Sequence, residues 1–147
     1  MDLLREYFKG DKMAATLGMT IERIEPGAAV VTMPLAECHQ NGLGSAHGGA
    51  LFSLADFCFA VASNSHGRVA VAINCTISFH RGIRSGVLTA TAREIHCGAT
   101  IAAYIVEITD EQHKSIATFQ GQVFRTQNTI EAVLAERKAA GQEKDPD

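Results

Sequence analysis

One carboxylate stands alone in the most apolar stretch of the chain. Asp56 lies within GGALFSLADFCFAVA, residues 48–62, where Ser53 is the only other polar side chain. On a helix its neighbours three and four positions away are Phe52, Ser53, Phe59 and Ala60, none of them a cation. Burying a carboxylate without a partner costs several kcal/mol, so a lone buried acid is a candidate general base or nucleophile. The plainer reading bonds it to Ser53 or to a backbone amide of another segment. Just upstream runs NGLGSAHGG, residues 41–49. Glycines opening a helix present bare N–H groups at the positive end of its dipole, which suits an anion or a developing oxyanion. The same residues also serve as a tight turn at Asn41-Gly42, a close approach at Gly48-Gly49 and a capping ring at His47.

Other chemistries find less support. The six histidines include no HxxxH or HExxH pair, and Cys38-His39 and His96-Cys97 are isolated neighbours, so no metal is expected. A serine nucleophile would want GxSxG at a strand-to-helix elbow, which is absent. The glycines at 42, 44, 48 and 49 fit neither a P-loop nor a dinucleotide fingerprint. Arg81 and Arg84, beside His80, form a small cationic group that could hold a phosphate by paired donors. An exposed arginine turn is the alternative.

The elements that must position these groups follow from periodicity. Leu3, Leu4, Tyr7 and Phe8, then Met13, Ala14 and Leu17, predict one or two short helices ended by Gly18. Strands are predicted near 20–25 and 28–33, split by Pro26-Gly27, then a loop over 36–47. Residues 48–62 are apolar on nearly every helical face and therefore belong inside the protein. From Val69 to His80 the period changes to two, which predicts a long strand with one apolar and one small or polar face. Three more strands are expected near 87–95, 100–108 and 114–125, joined by connections short enough to imply antiparallel neighbours. Gly121 on the apolar face of the last strand would let a helix approach. Asn128-Thr-Ile-Glu131 resembles a capping box opening a C-terminal helix. The expected fold is α+β: a curved antiparallel sheet of about five or six strands around one long central helix. Long sheet edges are usually managed by pairing with a second copy, so a homodimer is expected.

The chain has 147 residues, 46% apolar and 20% charged, with a net charge of −3. These values describe one ordinary globular domain, placed here at residues 1–140, with a disordered tail at 141–147. The absence of a basic run excludes a duplex nucleic-acid partner. The run nearest to the roughly 18 apolar residues of a membrane span is 48–62, which is 15 long and carries Asp56 in its middle, and the N-terminus lacks a secretory core. Four scattered cysteines without CxxC read as free thiols, hence a cytoplasmic protein.

The run NGLGSAHGGALFSLAD, residues 41–56, resembles the signature of hotdog-fold acyl-CoA thioesterases of the phenylacetate-degradation type. The likeness continues through Ser63-Asn-Ser-His-Gly67, the strand CTISFHR at 75–81 and GVLTATA at 86–92, so it covers roughly residues 12–126. It implies a hotdog fold and hydrolysis of an aryl- or arylacetyl-CoA thioester to free acid and coenzyme A. No cofactor is implied, since coenzyme A is part of the substrate, and the oligomer would be a homodimer or a dimer of dimers. By this resemblance the Gly48 N–H polarises the thioester carbonyl, Asn41 positions the carbonyl or a water, and Asp56 is base or nucleophile. His47 and Gly49 would shape the substrate site, and Arg81 and Arg84 would face coenzyme A. Relatives often carry a hydroxyl at the position of Ala72, so Asn74 or Thr76 on the same face would have to replace it. Relatives also follow the arginine with proline where Arg81 is followed by Gly82. Competing readings are a medium- or long-chain acyl-CoA thioesterase, an acyl-CoA dehydratase and a non-catalytic acyl-CoA-binding module. The dehydratase would want a catalytic His paired with an Asp, and the binding module usually carries an appended domain.

Overall fold

The computed structural model describes residues 1–142. Its elements run α1 (Asp2–Phe8), α2 (Lys12–Thr16), β1 (Thr20–Glu25), β2 (Ala28–Pro34), a 3-10 turn (Glu37–His39), α3 (Gly48–Asn64), β3 (Arg68–Phe79), β4 (Val87–Cys97), β5 (Ile101–Thr109), β6 (Ser115–Thr129) and α4 (Ile130–Gln142). All six strands form one antiparallel sheet in the order β1-β2-β4-β5-β6-β3. The sheet wraps α3, whose Leu54, Ala55, Cys58, Val61 and Ala62 are fully buried. The α+β architecture is thus the one expected.

Two details correct the periodicity. The connection from β3 to β4 was expected to join antiparallel neighbours, yet β3 pairs with β6 and lies at the sheet edge. The β4-β5-β6 meander leaves β6 with a free edge, and β3 takes it. The strict alternation along β3 also fails, because a bulge interrupts the ladder between Ala72 and Asn74. One extra residue moves every later side chain to the opposite face. Val71 therefore pairs with exposed Phe124, whereas Cys75 pairs with Gly121 and Ile77 with buried Phe119.

Helix α3 reaches the sheet closely at one point. The Phe59 ring packs on Gly121, between Tyr104 at 5.7 Å and Phe119 at 5.4 Å between centroids. The chain turns out of α3 at Gly67, φ +81°, and Asn64 ties the exit by accepting from the Ala70 N–H at 3.0 Å. Beside that exit, where the Ile130 N–H donates to the Gly67 carbonyl at 3.0 Å, α4 is capped by Thr129, whose Oγ1 accepts from the Ala132 N–H at 3.1 Å. The cap thus sits one residue beyond the predicted Asn128. Helix α4 runs on to Gln142, two residues into the segment expected as a tail, and residues 143–147 lie outside the described residues.

A Cβ at position 121 would stand 2.6–2.9 Å from three Phe59 ring atoms. Gly121→Ala is expected to destabilise the fold by about 1–3 kcal/mol through overpacking. Phe59→Leu in the same chain should relieve part of that loss. Chemical denaturation midpoints of the two variants test this, and an unchanged midpoint for Gly121→Ala would refute it.

Candidate active site

The segment before α3 is held from both sides. Buried His39 donates from Nε2 to the Leu17 carbonyl at 2.9 Å and accepts the Ala36 N–H at Nδ1 at 2.8 Å, which ties the loop to the end of α2. Asn41 Oδ1 accepts from the Leu43 and Ser45 N–H groups at 2.9 and 3.1 Å. Gly44 turns the loop at φ +73°, and Arg84 donates to the Leu43 carbonyl at 2.9 Å. Asn41 is therefore a turn residue, as the plainer reading held, but only through its oxygen. Its amide NH2 has no acceptor among the described residues.

His47 caps α3: its Nδ1 accepts the Gly49 N–H at 2.8 Å. Gly49 thus has no free N–H to offer a substrate. The Gly48 N–H, at the first helical position, finds no acceptor among the described residues. It opens on a cleft of about 440 Å³ lined by Asn41, Ser45, Gly48, Phe79, His80 and Arg81. Free N–H groups at the positive end of a helix are oriented for a negatively charged oxygen.

Asp56 lies elsewhere on the same helix. It is half-buried rather than enclosed, with no hydrogen-bond or ionic partner among the described residues. It lies in the one stripe of α3 that the sheet leaves uncovered, with Gly49, Phe52, Ser53 and Ala60. Ser53 does not bond it, but donates to the Gly49 carbonyl at 2.8 Å. Asp56 lines a second cleft, of about 280 Å³, with Asp11, Met13, Met19, Phe52 and Phe57. Phe59, expected beside it, points instead at the sheet. Burial raises the Asp56 pKa above the ordinary carboxylate value, and the nearby Asp11 charge raises it further.

The sequence missed the N-terminal contribution to this cleft. Asp11 caps α2, accepting the Ala14 N–H at 2.9 Å, and that cap orients its charge. An edge contact between Phe8 and Phe57, 5.5 Å between centroids, holds α1 on α3. An Asp directly before Lys-Met-Ala was a readable N-cap signal; its proximity to Asp56 was not readable. The bulge in β3 corrects a further expectation. Ala72 pairs with Val123 on the helix side, whereas Asn74 and Thr76 pair with Gln122 and Gln120 on the outer face. They do not share the face of Ala72 and cannot supply its missing hydroxyl. Cys75 is the strand residue near Asp56; burial raises its thiol pKa and the Asp56 charge adds to it. Arg81 is ion-paired with Asp110, whose carboxylate is held low by the Lys114 N–H and by Arg81.

The chain matches the Thioesterase superfamily over residues 43–129. The acyl-coenzyme A thioesterase PaaI of Escherichia coli is 45% identical over 124 residues, 84% of this chain and 89% of that protein. The solved structure of the E. coli PaaI protein, from the phenylacetic acid degradation operon, superposes with a TM-score of 0.84 at 42% identity, covering 87% of this chain and 94% of that one. The phenylacetic acid degradation protein PaaI of Thermus thermophilus follows at TM-score 0.75 and 37% identity, covering 78% of this chain and 98% of that one.

Asp56 is expected to titrate above the ordinary Asp value of about 3.9, and Asp11→Ser to move it down, since serine keeps the cap and removes the charge. Carboxyl carbon NMR over a pH series reads both. An Asp56 midpoint unmoved by Asp11→Ser would refute the coupling.

Proposed function

The chain belongs to the thioesterase superfamily and is a thioester hydrolase; from that premise we propose that it cleaves compact aryl- or arylacetyl-CoA thioesters to the free acid and coenzyme A. The observation that carries the mechanism is the pair formed by a free N–H at the start of α3 and an unpartnered carboxylate on its open stripe. The Gly48 N–H receives the charge that develops on the thioester oxygen, and the Asn41 amide NH2 orients the carbonyl or a water. Asp56 attacks the carbonyl carbon or takes a proton from the attacking water. A single oriented oxyanion donor is worth about 10²–10³ in rate, and a positioned base about 10²–10⁴.

One protomer does not bring these groups together. Gly48 and Asp56 are eight residues apart on one helix, hence roughly 12 Å along its axis. A donor and a base acting on one carbonyl must both lie within about 3–3.5 Å of the reacting atoms. We therefore assign each site to two subunits, with Gly48 of one facing Asp56 of the partner subunit. Among the described residues, β1 and β3 form the two free edges of the sheet. β1 is short, bulged and charged with Glu22, Arg23 and Glu25. β3 is longer and carries Val71 and Ile73, each more than half exposed, so it is the edge suited to pairing with a second copy. On the outer face, Ile101, Phe124 and Val71 lie side by side across three strands, which supports a further contact between dimers.

The aryl preference rests on the relatives and on the cleft at Asp56. Phe52 and Phe57 line it, and its roughly 280 Å³ is small for a ligand pocket, since those run about 300–1,000 Å³. Arg81 and Arg84 flank the Gly48 end of α3 and are assigned to the coenzyme A portion. Coenzyme A arrives with the substrate, and the site is proposed to work without a cofactor. None of the described helices is long and apolar enough to cross a membrane, and the free thiols fit a cytoplasmic setting.

Asp56→Asn is expected to lose at least about 10²-fold in hydrolysis while staying folded. Because the Asp56 pKa is raised and the carboxylate is the active form, the wild-type rate should fall on acidification at a pH above about 3.9. Refolding an equal mixture of Asp56→Ala and Gly48→Pro should restore about a quarter of wild-type activity, since half the dimers are mixed and each has one intact site. Heterodimers seen by mass spectrometry with no activity would overturn the two-subunit site. Separately, kcat/KM is expected to favour phenylacetyl-CoA over palmitoyl-CoA, and the reverse order would refute the aryl assignment alone.

A further inference from the structure

Another irregular ladder lies at the far end of α3. In β4 the register shifts between Glu94 and His96, so that Glu94 pairs with Tyr104 and Cys97 with Ala102, both partners fully buried. Residues three apart on a regular strand point to opposite faces; the extra residue, Ile95, puts Glu94 and Cys97 on the same one. The turn leaving α3 delivers His66 to that face. Its Nε2 lies 2.7 Å from Glu94 Oε2, and the ligand atoms of His66, Glu94 and Cys97 are all within 4.8 Å of one another. The histidine and carboxylate side chains are only 27% and 24% exposed. His96, the neighbour of Cys97 in sequence, pairs with Ala103 on the outer face, so the sequence dyad is replaced by a triad from two elements.

We propose that His66, Glu94 and Cys97 form a three-ligand site for a borderline-soft divalent cation of the Zn²⁺ class, with water as the fourth ligand. The donor set is right for such an ion: one imidazole nitrogen, one carboxylate oxygen and one thiolate. With a neutral imidazole the three ligands carry two negative charges, which balance the cation. Tetrahedral zinc holds its ligands about 2.0–2.3 Å away, hence roughly 3.3–3.6 Å from each other. The present His66–Glu94 separation opens by less than an ångström to admit it.

The surroundings are built for the same end. Buried Tyr104 donates at 2.6 Å to Glu94 Oε2, the same oxygen that meets His66, and this hydrogen bond orients the carboxylate. Gly27 brings the β1–β2 turn against Glu94, where a Cβ would stand 3.0 Å from the Glu94 Cβ. The turn after Cys97 is pinned by Arg125 on the Gly98 carbonyl at 2.6 Å and by Arg68 on the Ala99 carbonyl at 3.2 Å. These two cations also favour the thiolate, whereas burial and the Glu94 charge favour the thiol. On binding, the cation takes the place of the hydrogen between His66 Nε2 and Glu94, the ligating imidazole is neutral with its proton on Nδ1, and the Cys97 proton leaves to solvent. The bound ion would clamp the C-terminal end of α3 to β4, well away from Asp56.

Cobalt(II) added to chelator-treated protein tests this through its thiolate charge-transfer absorption. One equivalent is expected to produce the band in the wild type and in Cys38→Ser, and none in Cys97→Ser. His66→Gln should weaken binding at least about 10-fold, and Tyr104→Phe, which removes only the supporting hydrogen bond, about 10-fold. Circular dichroism checks the fold of each variant. As a readout on the unaltered chain, one equivalent of Zn²⁺ should slow alkylation of Cys97, followed by peptide mass spectrometry. No band in the wild type, a band surviving Cys97→Ser, unweakened binding by His66→Gln or unprotected Cys97 would each overturn the site.

Discussion

A helix that is apolar on almost every side must be covered on almost every side, and the sheet covers α3 on all but one. Ala50, Leu51, Leu54, Ala55, Cys58, Val61 and Ala62 are buried within the protomer. The uncovered stripe carries Asp56, in a setting that raises its proton affinity without supplying a counter-charge. Filling that stripe with apolar side chains would be the cheaper solution for stability alone. The rest of the molecule depends on this gap: where the clefts open, which sheet edge stays free, and why the carboxylate remains reactive.

The opposite charge is present on the same helix, at a distance that prevents neutralisation. Only the first turn of a helix feels much of the dipole's positive end, and Asp56 lies in the third turn of α3. His47 uses up the Gly49 N–H and the Asn41 oxygen ties up the loop, so the Gly48 N–H and the Asn41 amide NH2 are donors left over among the described residues. A stripe with a donor at one end and a carboxylate further along is complementary to itself when run antiparallel. Two-fold symmetry would then satisfy both groups twice, which is the isologous arrangement expected of closed dimers. The site and the oligomer become one problem under the proposed mechanism.

Much of this was legible in the sequence because burial leaves a period. The central helix, all six strands, Gly121 as the point of close approach and Asp56 as the isolated acid followed from pattern and residue type. Strand order was not legible. Chain proximity suggested that β3 neighbours β4, whereas the free edge of β6 decides the matter. Nor could a linear pattern show that α2 brings Asp11 and Met13 to the Asp56 cleft, since that depends on Phe8 docking against Phe57.

The bulges at Ile73 in β3 and at Ile95 in β4 explain the remaining differences and act on chemistry rather than on fold. A period-two pattern names two faces, but one inserted residue decides which side chains each face receives. Past the bulge at Ile73, Asn74 and Thr76 go outward and Cys75 comes toward the acid, so the polar residues that looked suited to the site are withdrawn from it. Past the bulge at Ile95 the opposite happens: Cys97, unremarkable beside His96 in sequence, is turned onto the face of Glu94 and within reach of His66. Neither bulge disturbs the apolar count of its strand, so hydropathy is blind to both. In a sheet wrapped this tightly around a helix, strand irregularities set the inner face's reactive groups, while its regular stretches set its shape.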